Sequence, residues 1–129
     1  MQRFTTIMFL LLALVGCNLA VEPPLPTPDV PLLEFHSPPT EARVIEGATL
    51  GFDISARDST VGIEKIIFFI DGSVVQEALI GNYEVRPLFR VNIEWTAQAI
   101  GWHDVSAIAY RPDGTQSREE HISIEVIAP

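Results

Sequence analysis

Apolar side chains recur at every second position in one segment after another, and that period limits what this chain can fold into more than any other feature. In "ATLGFDISARD" (48–58) Leu50, Phe52, Ile54 and Ala56 share one side, while Thr49, Gly51, Asp53, Ser55 and Arg57 share the other. "LFRVNIEWT" (88–96) sends Phe89, Val91, Ile93 and Trp95 inward and Arg90, Asn92 and Glu94 outward. "HISIEVI" (121–127) alternates in the same way, with Ile122, Ile124 and Val126 inward. A strict period of two belongs to strands with one buried face, because successive Cβ atoms leave a strand on opposite sides. No window of eleven or more residues carries a 3.6 period with caps. Asp71-Gly72 joins "KIIFFI" to "SVVQEALI", and Asp-Gly supplies the positive φ of a tight hairpin. Pro112-Asp113-Gly114 marks a second turn. Strands at intervals of about a dozen residues predict an all-β, two-sheet antiparallel sandwich over 32–129. Its expected core is Phe35, Leu50, Phe52, Ile54, Phe68, Phe89, Val91, Ile93, Trp95, Val105, Ile122 and Ile124.

The N-terminus has a different composition. Arg3 precedes Ile7–Val15, nine apolar residues, whereas a membrane-spanning helix needs about 20. The run suits a secretory signal peptide. It ends Leu14-Val15-Gly16-Cys17, and Cys17 is the only cysteine. This resembles the lipobox of bacterial lipoproteins. The resemblance implies cleavage between Gly16 and Cys17, a diacylglycerol on the Cys17 thiol, and often an acyl chain such as palmitate on the new amino terminus. Two or more chains anchor stably where one does not. The competing reading is an uncleaved signal-anchor over 4–21, which Thr5, Thr6, Gly16, Cys17 and Asn18 interrupt. Asn18 is not the aspartate that retains lipoproteins in an inner membrane, so the expected address is the outer membrane, or the outer face of the plasma membrane where there is only one. Residues 17–31 then contain Pro23, Pro24, Pro26, Pro28 and Pro31. A segment of this kind is extended and semi-rigid, and at about 3.1 Å per residue it spans on the order of 40 Å. It reads as a spacer, with a proline-rich recognition ligand as the alternative.

Charge excludes one class of partner. The chain carries a formal −9, and loss of a 1–16 signal removes Arg3, leaving 7 basic against 17 acidic residues, or −10. Nucleic acid would be repelled, and so would an anionic lipid surface lying flat against the domain.

From Leu33 to Val126 the chain resembles bacterial immunoglobulin-like domains. The landmarks are "SPPTEARVIEG" (37–47), Asp58 followed by "VGIEKI", the Asp71-Gly72 turn, 87–95 ending in Trp95, and "AIGWHDVSAIAY" (99–110). Glu41 departs from the pattern, since the family often has Gly there, and the antibody-type cysteine pair is missing. The resemblance implies about seven strands.

No catalytic constellation stands out. His36, His103 and His121 lie on separate predicted strands without a partner at metal-ligand spacing, and are expected on the surface or rim. His103 and Asp104 are strand neighbours and therefore face opposite ways. Asp53, Asp58, Asp71, Asp104 and Asp113 suggest calcium, but no Asp-x-Asp cluster is present. Nucleophile elbows, phosphate loops and dinucleotide fingerprints are also missing from the sequence. The expectation is a protein that is not an enzyme and needs no cofactor or metal. One feature points to a partner. With Ile66, Phe68 and Ile70 facing in, Ile67 and Phe69 face out, and on the strand that the family resemblance implies as its neighbour Trp102, Ile108 and Tyr110 do the same. Such an apolar face is uncommon on soluble monomers. A neighbouring strand, or the stems of Lys65 and Arg111, could cover it, and a register slip of one would remove it. The sequence thus predicts a lipid-anchored envelope protein displaying one binding or adhesion domain for a protein or polysaccharide. A self-associating structural lipoprotein and an accessory or inhibitory domain of an exported hydrolase are the alternatives.

Overall fold

The computed structural model of the protein describes residues 21–80 and 85–129. Residues 1–16 and Cys17, with the signal and lipidation readings placed on them, lie outside the described residues. Eight strands follow in order: β1 (Leu32–Ser37), β2 (Ala42–Ile45), β3 (Thr49–Arg57), β4 (Lys65–Ile70), β5 (Ser73–Leu79), β6 (Leu88–Thr96), β7 (Gly101–Tyr110) and β8 (Glu120–Ile127). A three-stranded sheet in the order β1-β3-β6 packs against a five-stranded sheet in the order β2-β8-β7-β4-β5.

The all-β sandwich expected from the alternation is present, with eight strands rather than about seven. The extra strand has a local cause. Proline cannot donate to a ladder, and Pro38-Pro39 stops β1 after it has paired with β3 from Leu32↔Arg57 to Ser37↔Asp53. The chain then crosses to the other sheet, where β2 pairs with β8 from Ala42↔Ile124 to Ile45↔Ile127. That pairing is parallel, so the sandwich is not wholly antiparallel as expected.

Phe52, Ile54, Phe68, Ile93, Val105 and Ile124 are fully buried, joined by Ile63, Ile66 and Val126. Phe52 and Phe68 meet across the two sheets with ring centroids 4.9 Å apart. Phe35, Leu50, Phe89, Val91, Trp95 and Ile122, predicted as core, are only partly buried against it. Phe35 sits on β1 and Phe89, Val91 and Trp95 on β6, the two edges of the narrower sheet, where one flank of each side chain reaches the rim.

The register defines two ends. At the near end Leu32, Arg57 and Leu88 share a row in one sheet, and Lys65 pairs with Tyr110 in the other. The N-terminal segment enters here. At the far end lie the Asp71-Gly72 turn, the β2–β3 turn, the β6–β7 loop and the C-terminus, with Gly47 N–H donating to Ala97 O at 2.8 Å.

Glu41, which replaces the family's frequent Gly, has φ 67° and donates its N–H to Ser123 O at 2.6 Å. A side chain in that left-handed region costs about 1–2 kcal/mol, which Gly avoids. Part of this gain is returned through the greater freedom of Gly in the unfolded chain. Glu41→Gly is therefore expected to stabilise the full chain by about 0.5–1 kcal/mol, read as a rise in the urea midpoint at unchanged slope.

Candidate functional site

The outward side chains of the five-stranded sheet divide into two groups. Ile67 lies opposite Ile108, and Phe69 opposite Ser106, one row apart from Lys65 and Tyr110. Ile67, Phe69, Ile108 and Tyr110 all face outward, so the register is the expected one, but each is half-buried. The Lys65 ammonium lies 5.3 Å from the Tyr110 ring centroid and 3.1 Å from Glu77 Oε1. Lys65 thus shades the patch. Arg111, the other residue expected to cover it, is elsewhere. Trp102 belongs to a separate group, since six residues of strand, roughly 20 Å at about 3.4 Å each, part it from Ile108. Between them, Asp104 accepts from His121 Nδ1 at 3.0 Å, and Ser106 Oγ donates to Glu119 Oε1 at 2.7 Å. This polar belt separates Trp102 from Ile67, Phe69, Ile108 and Tyr110, which stay together. Trp102 itself is 59% exposed. It shares a row with Glu125 and Arg43, which form an ion pair at 2.7 Å.

The histidines fall into three environments. His36 Nε2 lies 2.7 Å from Ser55 Oγ on the outer face of the three-stranded sheet, and His121 is half-exposed. His103, expected on the surface or rim, points inward instead, its side chain only 10% exposed and edge-on to Trp95 at 5.6 Å. As expected, His103 and Asp104 face opposite ways, each taking another partner. His103 Nδ1 lies 2.6 Å from Asp71 Oδ2, and Nε2 lies 2.5 Å from the Ala99 carbonyl oxygen. Both neighbours are acceptors, so both ring nitrogens must carry hydrogen, which only the imidazolium does. The Ala99 carbonyl is the main cause that raises the His103 pKa; burial opposes it and Asp71 adds to it. Burial pushes the Asp71 carboxyl up, but His103 and the Asp104 N–H together hold it below the usual range. The three groups staple the β4–β5 turn to the β6–β7 loop.

At the near end Arg111 and Asp58 form a buried pair, 6% and 3% exposed at the side chain. Arg111 Nε donates to Asp58 Oδ2 at 2.6 Å and Nη2 to Asp58 Oδ1 at 3.0 Å. The carboxylate also accepts the N–H groups of Thr60 and Gly62. Arg111 is the leading cause that holds the Asp58 carboxyl far below its ordinary range. Gly62 has φ 111°, and a Cβ there would come within 2.3 Å of Val85 Cγ1, so only glycine brings its N–H to Asp58. Arg111 Nη2 also donates to Asp29 Oδ1 at 2.7 Å, and Thr60 Oγ1 donates to the same oxygen at 3.0 Å. Asp29, in the proline-rich segment, is thereby clamped to the domain, and Pro31 behind it is buried. Neither this clamp nor the His103 staple was apparent from residue spacing, since the partners are 82, 53 and 32 positions apart.

Asp53 is held by Arg90, and Asp113 accepts from the Thr115 N–H inside its turn. Among the described residues no group of three or more His, Cys, Asp or Glu could hold a metal ion. A depression of about 360 Å³ between Leu32, Arg57 and Leu88 lies open on the outer face of the smaller sheet.

A two-sheet sandwich whose N-terminal strand switches sheets at a proline break, with its buried Asp58 and Arg111 engaged in a structural pair, is an immunoglobulin-like module. The chain belongs to the bacterial Ig domain family, which matches residues 31–107. Domains of this family are in general non-catalytic. Among solved structures it is similar to the fibronectin(III)-like modules of Clostridium thermocellum CbhA, with TM-score 0.63, 25% identity, and coverage of 75% of this chain and 98% of that one. The CARDB domain of PF1109 from Pyrococcus furiosus superposes with TM-score 0.55 at 10% identity, covering 76% and 94%. The SrpA adhesin of Streptococcus sanguinis gives 0.54 at 16%, covering 79% of this chain and 58% of that one. No curated protein sequence matches the chain.

Two expectations follow. A histidine whose folded pKa is raised contributes stability that is complete below its unfolded value near 6.5 and is lost as pH rises through the folded value. Asp71, lowered in the fold, contributes above about pH 3.9 and loses that contribution as pH falls through its folded value. Melting temperature followed from pH 5 to 9 should therefore decline on the alkaline side in the native chain, and Asp71→Asn should flatten that decline. For the clamp, removing one partner of a buried pair costs about 3–5 kcal/mol. Arg111→Leu, which strands Asp58, is expected to cost that much in urea unfolding. Asp29→Asn should cost under about 1 kcal/mol while raising the backbone mobility of 21–30 in ¹⁵N relaxation.

Proposed function

We propose that this protein is a lipid-anchored, extracytoplasmic Ig-like module that binds another macromolecule and performs no chemistry of its own. The observation that carries the reading is Trp102, a large aromatic side chain left exposed at the end of the sandwich opposite the point where the N-terminal segment enters. Exposed indoles are typical anchors of binding surfaces. Anchoring itself is supported by the lipobox resemblance at Cys17, and the prolines of 17–31 would hold the domain off the bilayer, at the outer membrane or the outer face of the plasma membrane. An adhesin among the structural neighbours supports this reading. Nucleic acid is not a partner on this reading, because the chain is strongly acidic.

A second reading, self-association, is favoured by β5. This edge strand of the larger sheet leaves Val74, Val75 and Leu79 exposed, with Val74 paired to Phe69 and Leu79 to Lys65. Exposed edges of this kind invite pairing with another strand.

The test is metabolic labelling with radioactive palmitate. The native chain should incorporate label and fractionate with the envelope, and Cys17→Ala should lose both. A native chain that reaches the envelope unlabelled ends the anchored reading. Sedimentation of the detergent-solubilised full chain addresses the second: dimers at micromolar concentration that Phe69→Glu with Ile108→Glu dissociates would favour self-association.

A further inference from the structure

Charge is distributed unevenly along the sandwich. Of the seven Lys and Arg among the described residues, six lie in the near half: Arg57, Lys65, Arg86, Arg90, Arg111 and Arg118. Arg43 alone lies in the far half, paired with Glu125. Five carboxylates surround the far end of the five-stranded sheet. Glu125 flanks Trp102 in its row, Asp104 lies two residues along the same face, and Asp71 bonds the Asp104 N–H. Glu46 follows Ile45, its N–H bonded to Ile127 O, and Glu41 is bonded to Ser123 O. His103 sits against Asp71 and offsets part of that charge, and His121 Nδ1 lies 3.0 Å from Asp104 Oδ1.

Within this acidic rim the surface is apolar. Ile45 is 50% exposed, Ile100 60% and Trp102 59%. Ile45 pairs with Ile127, which is one diagonal step from Trp102 on the same face, a separation of about 7–8 Å between strands. Ile100 belongs to the loop that feeds β7, a loop held by Ala99 at φ 60° and by the Ala99 carbonyl on His103. An exposed aromatic anchor with aliphatic neighbours, rimmed mainly by carboxylates with Arg43 among them, has the composition of a protein-binding hot spot with an electrostatic rim.

We infer that the far end is a docking surface for a basic protein, taking an apolar side chain of the partner against Trp102, Ile100 and Ile45 and lysines or arginines against Glu46, Glu125 and Asp104. This rests on the display reading above, because the Asp29–Arg111 clamp fixes the entering segment at the opposite end and so turns this end outward. Charge selects the partner. A second copy would bring the same carboxylates face to face, an anionic bilayer would be repelled, and a neutral glycan could use the indole but would gain nothing from the rim.

The test uses the ¹⁵N-labelled full chain in a non-ionic detergent, with three probes: cytochrome c as a small basic protein, the same protein with its lysines acetylated, and cellohexaose. Native cytochrome c should give saturable shifts at the Trp102 indole and at Ile100 and Ile45, weakening at least about tenfold as salt rises through the range where the Debye length falls below 8 Å. Trp102→Ala should weaken binding about tenfold or more, and Glu46→Gln with Glu125→Gln several-fold. Trp102 and Glu46 are exposed, Glu125 is partly buried beside Arg43, and retained amide dispersion will report that both variants fold. Absence of shifts, shifts that survive Trp102→Ala, or equal shifts with the acetylated protein or with cellohexaose overturn the inference. Palmitate labelling is read independently: a labelled chain without these shifts refutes the docking surface alone, and an unlabelled envelope chain with them refutes the anchor alone.

Discussion

The contact between Phe52 and Phe68 is the point from which the two sheets take their positions. Phe52 lies at the centre of β3, the middle strand of the smaller sheet, and Phe68 lies on β4, between β7 and β5. With their rings 4.9 Å apart and no solvent reaching either, they set the separation that the neighbouring isoleucines fill. With one cysteine in the chain, the domain has no internal disulfide to limit its unfolded state. Burial of about 1.5–3 kcal/mol per large side chain must carry the balance. Alternation is therefore under strict control: a one-residue slip of β3 or β4 would bring Asp53 or Ile67 inward and remove the rings from each other.

Much of this could be read from the chain. The inward sets of β3, β6 and β8 follow the period of two, and Phe52, Ile54, Ile93 and Ile124 lie where that period puts them. The period could not distinguish a residue on a central strand from one on an edge, so Phe89, Val91 and Trp95 look as buried in sequence as Phe52 does. Their partial exposure depends on strand order, a property of the whole chain. The strand switch at Pro38-Pro39 was half visible, because the prolines show where β1 stops but not that β2 resumes in the other sheet beside β8. Glu41 was visible only as a departure from a pattern. The structure gives it the backbone conformation that glycine would have taken, so the departure changed the side chain without changing the path.

Polar chemistry was the least legible part. A histidine or an arginine in a strand sequence reads as a surface group, and His103 and Arg111 are instead the hubs of the two ends. Each gathers partners from loops separated by dozens of residues. Such networks satisfy buried charge and fix geometry, and they leave little free for reaction. Exposed apolar residues are found at the far end in Ile45, Ile100 and Trp102, at the near end in Leu32 and Leu88, and along the edge strand β5.

Clamping the N-terminal segment at one end, with Trp102 at the other, has a mechanical consequence. A pull applied between these points runs parallel to the strands. β1 would then be drawn lengthwise past β3, and the rungs between Leu32 and Ser37 would bear the tension together instead of opening one after another. The Asp29–Arg111–Asp58 cluster lies ahead of those rungs and would take the first of the load, so the ladder behind it is shielded until the cluster gives way.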